Sequence, residues 1–122
     1  VDYLNRVRQP FNANLPAQQA ALAALSDEAH VSKSLKVNRA GKTYLSRQFD
    51  AMGISYLPSE ANFIYFRLNG SDPILGKKVH MALLHKGIII RHVEGQSLRV
   101  SIGLPRENRR FIQALKEVLS TF

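Results

Sequence analysis

Two arginines lie where short apolar segments could hold a guanidinium still. Arg91 closes the run Gly87-Ile88-Ile89-Ile90, and Arg99 is embedded in Leu98-Arg99-Val100-Ser101-Ile102-Gly103. A β-branched strand expects apolar side chains on its packed face, so an arginine inside one either points to solvent or is held to meet an anion. A hairpin-like connection with a turn at Glu94-Gly95-Gln96 joins the two runs, which puts the guanidiniums on neighbouring strands. A planar, permanently charged fork grips a carboxylate or phosphate in a bidentate manner and fixes its orientation as well as its charge.

Other residue types offer less chemistry. Gly41-Lys42-Thr43 imitates the end of a phosphate-binding loop, but that motif needs a glycine at position 36, where lysine stands. It also falls inside a helical pattern, so Lys42 reads as an exposed lysine on a helix. His30, His80, His85 and His92 lack the spacing of a zinc site and read as surface histidines; no metal is expected. No serine sits in a sharp Gly-x-Ser-x-Gly turn. Asn62, just ahead of an apolar strand, reads as an amide that hydrogen-bonds its own turn. Arg8, before Pro10-Phe11-Asn12, is either a helix-end cation or an anion contact at the edge of a cleft.

The elements that must position these residues follow from periodicity. Val1 to Val7 reads as the tail of a helix ended by Gln9-Pro10, and Pro16 opens an alanine-rich helix over Ala17 to Leu25 whose small side chains permit close packing. Ser26-Asp27 caps a long helix reaching about Met52, with Val37, Ala40, Tyr44, Leu45, Phe49 and Met52 on its apolar face and Gly53 as its stop. Strands are expected at 54–57 and 63–68, a helix over 74–86 stopped by Gly87, strands at 88–91 and 98–102, and a last helix from Leu104-Pro105 with Phe111, Leu115, Val118, Leu119 and Phe122 on one face. The fold class is α+β: a small, mainly antiparallel sheet with helices packed on one face, in the order α-α-β-β-α-β-β-α.

Length and composition bound the rest. With 122 residues and 45% hydrophobic content, one domain with one core is expected. No cysteine is present, which removes disulfides, thiolate chemistry and cysteine-held metals and fits a reducing compartment. No apolar run approaches the roughly 20 residues a bilayer span needs, and the start Val1-Asp2-Tyr3-Leu4-Asn5 lacks the features of a signal peptide, so the chain reads as cytoplasmic, with no membrane partner. A net charge of +8 favours anionic partners, but the basic residues are scattered and no aromatic-rich recognition motif accompanies them. Nucleic acid is therefore not the expected partner, although a free-standing basic anion- or nucleic-acid-binding module is the alternative reading from another class.

Taken in order, Val7-Arg8-Gln9-Pro10-Phe11-Asn12-Ala13-Asn14, Asn38-Arg39, Ser59-Glu60-Ala61-Asn62-Phe63, Gly87-Ile88-Ile89-Ile90-Arg91 and Leu98-Arg99-Val100-Ser101-Ile102-Gly103 resemble the carboxy-terminal part of the histidinol-phosphate aminotransferase family, fold-type I enzymes dependent on pyridoxal phosphate. The resemblance covers nearly the whole chain. It implies a single small domain over 1–122 that closes over the substrate, with 1–26 as the interdomain helix and linker region. It implies that Arg99 binds a carboxylate, that Arg91 binds the anionic end of the substrate, and, more weakly, that Arg8 reaches the substrate site of the partner subunit. The family's Schiff-base lysine and its other cofactor contacts belong to an upstream large domain, so the resemblance implies no catalytic residue here, no tight binding of pyridoxal phosphate by this fragment, and no transaminase activity for the isolated chain. Amino-acid and phosphate-bearing small molecules are the implied substrates, histidine biosynthesis the implied setting and a homodimer the implied full-length assembly. Threonine-phosphate decarboxylases and aromatic aminotransferases share this small domain and remain alternatives.

Overall fold

In the computed structural model, residues 2–7 and 13–122 are described. By contacts the chain divides into two compact units, Val1–Ser34 and Leu35–Phe122.

The first unit holds α1 (Asp2–Val7), α2 (Leu15–Leu25) and the beginning of α3 (Glu28–Ala51). The Asn14 side chain caps α2 by accepting the Ala17 N–H at 2.9 Å, with Pro16 in the first turn where its missing N–H costs nothing. Every residue of α2 is exposed, Leu15, Leu22 and Leu25 included. The Asp27 carboxylate accepts the His30 N–H at 2.9 Å, as the expected cap of α3 requires.

The second unit carries the core. The strands β1 (Ser55–Tyr56), β2 (Phe63–Arg67), β3 (Arg91–Glu94) and β4 (Ser97–Ser101) form one antiparallel sheet in the order β1-β2-β4-β3, with α4 (Leu75–His85) between β2 and β3 and α5 (Pro105–Leu119) last. The α+β architecture and the element sequence are those expected. On one face of the sheet Ile64, Phe66, Leu98 and Val100 pack with Leu45 and Phe49 of α3, Leu75, Val79 and Leu83 of α4, and Phe111, Ile112, Leu115 and Val118 of α5. Phe49, Phe66 and Phe111 form its aromatic centre, Phe49 stacking on Phe66 with centroids 4.7 Å apart and Phe111 meeting both edge-on.

Three expectations are corrected. The apolar stripe of α3 runs through Gly41, Leu45 and Phe49, while Ala40 is exposed. Gly41 is buried because a Cβ there would overlap Ile102 and come within 2.9 Å of Asn108 Nδ2, so the helix can approach the end of β4 only where a side chain is missing. Phe122 lies beyond the end of α5 and is exposed. Finally, Arg91 opens β3 rather than closing a strand over 88–91. The Ile88 N–H is already used by the Leu83 carbonyl and the Gly87 N–H by that of Leu84, both at 2.9 Å. With Gly87 at φ 73°, this is a Schellman closure of α4, and its backbone donors are unavailable to a strand ladder.

Candidate anion-binding face

Strand alternation sorts side chains between the two faces of the sheet. On β2, Ile64 and Phe66 enter the core, so Phe63, Tyr65 and Arg67 take the opposite face; on β4, Leu98 and Val100 enter the core, so Arg99 and Ser101 take the opposite one. Register then aligns them: Tyr65, Arg99 and Arg91 occupy one row across β2, β4 and β3, with Phe63 opposite Ser101 in a neighbouring row and Arg67 opposite Ser97 in the other. The two sequence-predicted arginines are therefore directly opposite each other on one face. Cross-strand partners place their Cβ atoms about 5 Å apart, within the span of one bidentate or two-headed anion.

Arg91 is exposed and Arg99 half-buried, and neither guanidinium makes a hydrogen bond or ion pair among the described residues. The Arg99 guanidinium carbon lies over the Phe63 ring, 4.8 Å from its centroid. Phe63 and Tyr65 escaped the sequence reading as neighbours of the arginine, although the alternation in Phe63-Ile64-Tyr65-Phe66-Arg67 already assigns them to the non-core face. Arg67 joins that face too. Arg8 lies outside the described residues.

The end of β4 is braced from below. The Asn108 side chain, 3% exposed, accepts the Gly103 N–H and donates to the Gly103 carbonyl, both at 3.0 Å. Glu107 accepts the Leu104 N–H at 2.8 Å, capping α5 immediately after the strand. The loop before β2 is held from α3, where Asn38 Nδ2 donates to the Ala61 carbonyl at 3.3 Å and Lys42 Nζ to the Ser59 carbonyl at 2.8 Å. Lys42 is thus a half-buried strut rather than an exposed lysine, because its ammonium reaches a loop carbonyl and Glu60 at 3.8 Å. The Asn62 reading changes as well: Ser59 Oγ accepts the turn's Ala61 N–H at 3.1 Å, and the exposed Asn62 side chain makes no hydrogen bond among the described residues.

His30 and His85 are exposed; His80 and His92 are half-buried, with His92 Nε2 3.0 Å from the Gly95 carbonyl oxygen and His80 Nδ1 buried without a partner among the described residues. Among the described residues no group of three His, Cys, Asp or Glu could hold a metal ion. Lys42, Lys78, Lys86 and Lys116 bond to Ser59, Asp72, Glu117 and Gln48, while Lys33, Lys36 and Lys77 are exposed. No described helix is long and apolar enough to cross a membrane.

The profile of the family "Aminotransferase class I and II" matches residues 1–115. This chain belongs to that family. Among relatives of this aminotransferase chain, the histidinol-phosphate aminotransferase of Moorella thermoacetica is 50% identical over 121 residues, which are 96% of this chain and 30% of that enzyme. The chain thus spans less than a third of that relative's length. The solved histidinol-phosphate aminotransferase of Clostridium acetobutylicum aligns with a TM-score of 0.77 at 25% identity, covering 99% of this chain and 38% of that one. The enzyme of Sinorhizobium meliloti, solved in complex with pyridoxal-5'-phosphate, aligns with a TM-score of 0.79 at 24% identity, covering 98% and 34%, and shares the fold. The aminotransferase character that the ordered motifs implied agrees with the profile, and the relatives named here carry the histidinol-phosphate aminotransferase name.

Proposed function

We propose that this chain is the small, substrate-closing domain of a pyridoxal-phosphate-dependent aminotransferase that exchanges the amino group between histidinol phosphate and 2-oxoglutarate in histidine biosynthesis. The observation that carries the reading is the row Arg91–Arg99 on the open face of the sheet, in a chain of the aminotransferase family that is 50% identical to a relative named for this reaction. Two opposed guanidiniums suit an enzyme that must accept a dicarboxylate and a phosphate monoester in turn. Arg99 takes the carboxylate and Arg91 the second anionic group; Arg8 is assigned a weaker contact with substrate.

The lysine that forms the imine, and the rest of the cofactor cradle, belong to residues outside this chain. What this domain contributes is binding and orientation, the part of catalysis that comes from holding the reacting amine in place. Residues 1–26 serve as the interdomain helix and linker, the working assembly is a cytoplasmic homodimer, and the isolated chain lacks transaminase activity.

The test is steady-state kinetics of the full-length enzyme with Arg99→Ala. Loss of a charge-assisted bidentate contact costs on the order of 2 to 3 kcal/mol, so kcat/KM for glutamate should fall about 30- to 150-fold. An unchanged KM for glutamate would remove Arg99 from the assignment.

A further inference from the structure

We propose that Phe63 is a positioning residue for the substrate carboxylate, acting by holding the Arg99 guanidinium. The inference rests on the assignment of Arg99 as the carboxylate ligand.

Register alone would set Arg99 beside Tyr65, its direct partner on β2. Its guanidinium carbon instead lies 4.8 Å from the centroid of Phe63, one row along the strand. The side chain therefore leans toward the Phe63–Ser101 end of the face and away from Arg67, whose row with Ser97 lies on the other side. That lean selects where an anion is received: beside Phe63 and Ser101.

A ring suits this task for three reasons. Its negatively polarised face attracts the cation without neutralising it, so the full charge remains available to the ligand. A contact that uses no N–H donor leaves the guanidinium edges free for a bidentate grip, which a carboxylate partner would consume. Confinement on the ring also removes rotamers before the substrate arrives, so less entropy is lost on binding. No hydrogen bond or ion pair among the described residues competes for the fork. The platform itself is steady: Phe63 is half-buried in the strand, and the Asn62 carbonyl just before it accepts the Ile102 N–H at 2.7 Å.

The experiment uses the full-length enzyme in four forms: wild type, Phe63→Leu, Phe63→Tyr and Arg99→Lys, with kcat and KM for glutamate and the melting temperature measured for each. Phe63→Leu keeps apolar bulk but removes the π-face, and its KM should rise about fivefold with kcat within about twofold. Phe63→Tyr keeps the ring and should stay within about twofold of wild type in both parameters. Arg99→Lys reports on the assignment beneath, with a rise in KM larger than that of Phe63→Leu. If Phe63→Leu leaves KM unchanged while Arg99→Lys raises it, Phe63 is not a positioning residue and the carboxylate assignment stands. If neither variant moves KM, both fall. A Phe63→Leu enzyme that loses kcat and melting temperature together without a KM change identifies a purely structural residue and overturns the proposal; should that protein not fold, Phe63→Met replaces it under the same criteria.

Discussion

Arg91 and Arg99 face each other across the β3–β4 ladder, two like charges at one cross-strand position. Such a pair is unfavourable to the strands that carry it, because the side chains are neighbours and nothing described neutralises either. Replacing Arg91 by threonine should therefore stabilise the chain by about 0.5 kcal/mol in low salt, and the gain should shrink as salt screens the repulsion. Urea unfolding of both forms at two ionic strengths measures it. A gain that persists unchanged in high salt would mean that strand propensity, and not charge, is responsible.

Asn108 is the brace behind the arginine strand. Its amide satisfies both backbone groups of Gly103, where β4 gives way to α5, while being itself 3% exposed. Asn108→Ala strands those groups and should cost about 2 to 3 kcal/mol, read as a lower urea midpoint with an unchanged slope. Asn108→Asp can still accept the Gly103 N–H but, when ionised, cannot donate to its carbonyl, and should also destabilise.

Gly41 offers a test in which local and tertiary preferences oppose each other. Alanine is the better helix former by about 1 kcal/mol, so Gly41→Ala should stabilise an isolated α3. In the folded chain the new methyl meets Ile102 and the Asn108 amide, and overpacking should make the variant about 1 to 3 kcal/mol less stable. Thermal melts followed by circular dichroism give the sign, which decides between the two. Gly76→Ala should be worse, since its Cβ would meet the backbone of Gly95 and Gln96.

Glu117 accepts from Lys86 at 2.7 Å, and that hydrogen bond, with a second from Gln113, holds its carboxyl below the ordinary value of 4.5. Asp72 is lowered in the same way, chiefly by Lys78 and then by the Ile74 N–H. A carboxylate with a depressed folded value adds stability that is complete above its unfolded value and disappears as pH falls through the folded one. Stability should thus decline below about pH 4.5, and Glu117→Gln should flatten part of that decline. Both groups are solvent-exposed, so the effect is small and weakens in salt. Melting temperatures at pH 3 to 7 would show it, and identical pH slopes for wild type and Glu117→Gln would contradict it.

Much of this domain is local and therefore legible from its residues in order. Asp27 caps α3, Gly53 and Gly87 close helices, and Phe63-Ile64-Tyr65-Phe66-Arg67 alternates, because each depends on neighbours a few positions away. The ordered motifs pointed to the family as well, since they combine residue types spread from Val7 to Gly103, within the 1–115 that the family profile matches. What tertiary structure alone decided is which distant residues meet. Strand order put Phe63 beneath Arg99, the Schellman closure of α4 moved the start of β3 to Arg91, and close packing turned Gly41 and Asn108 into fittings for the end of β4. Register and interhelical approach are set by the one arrangement that fills the core and satisfies the backbone together, and no local pattern contains that sum.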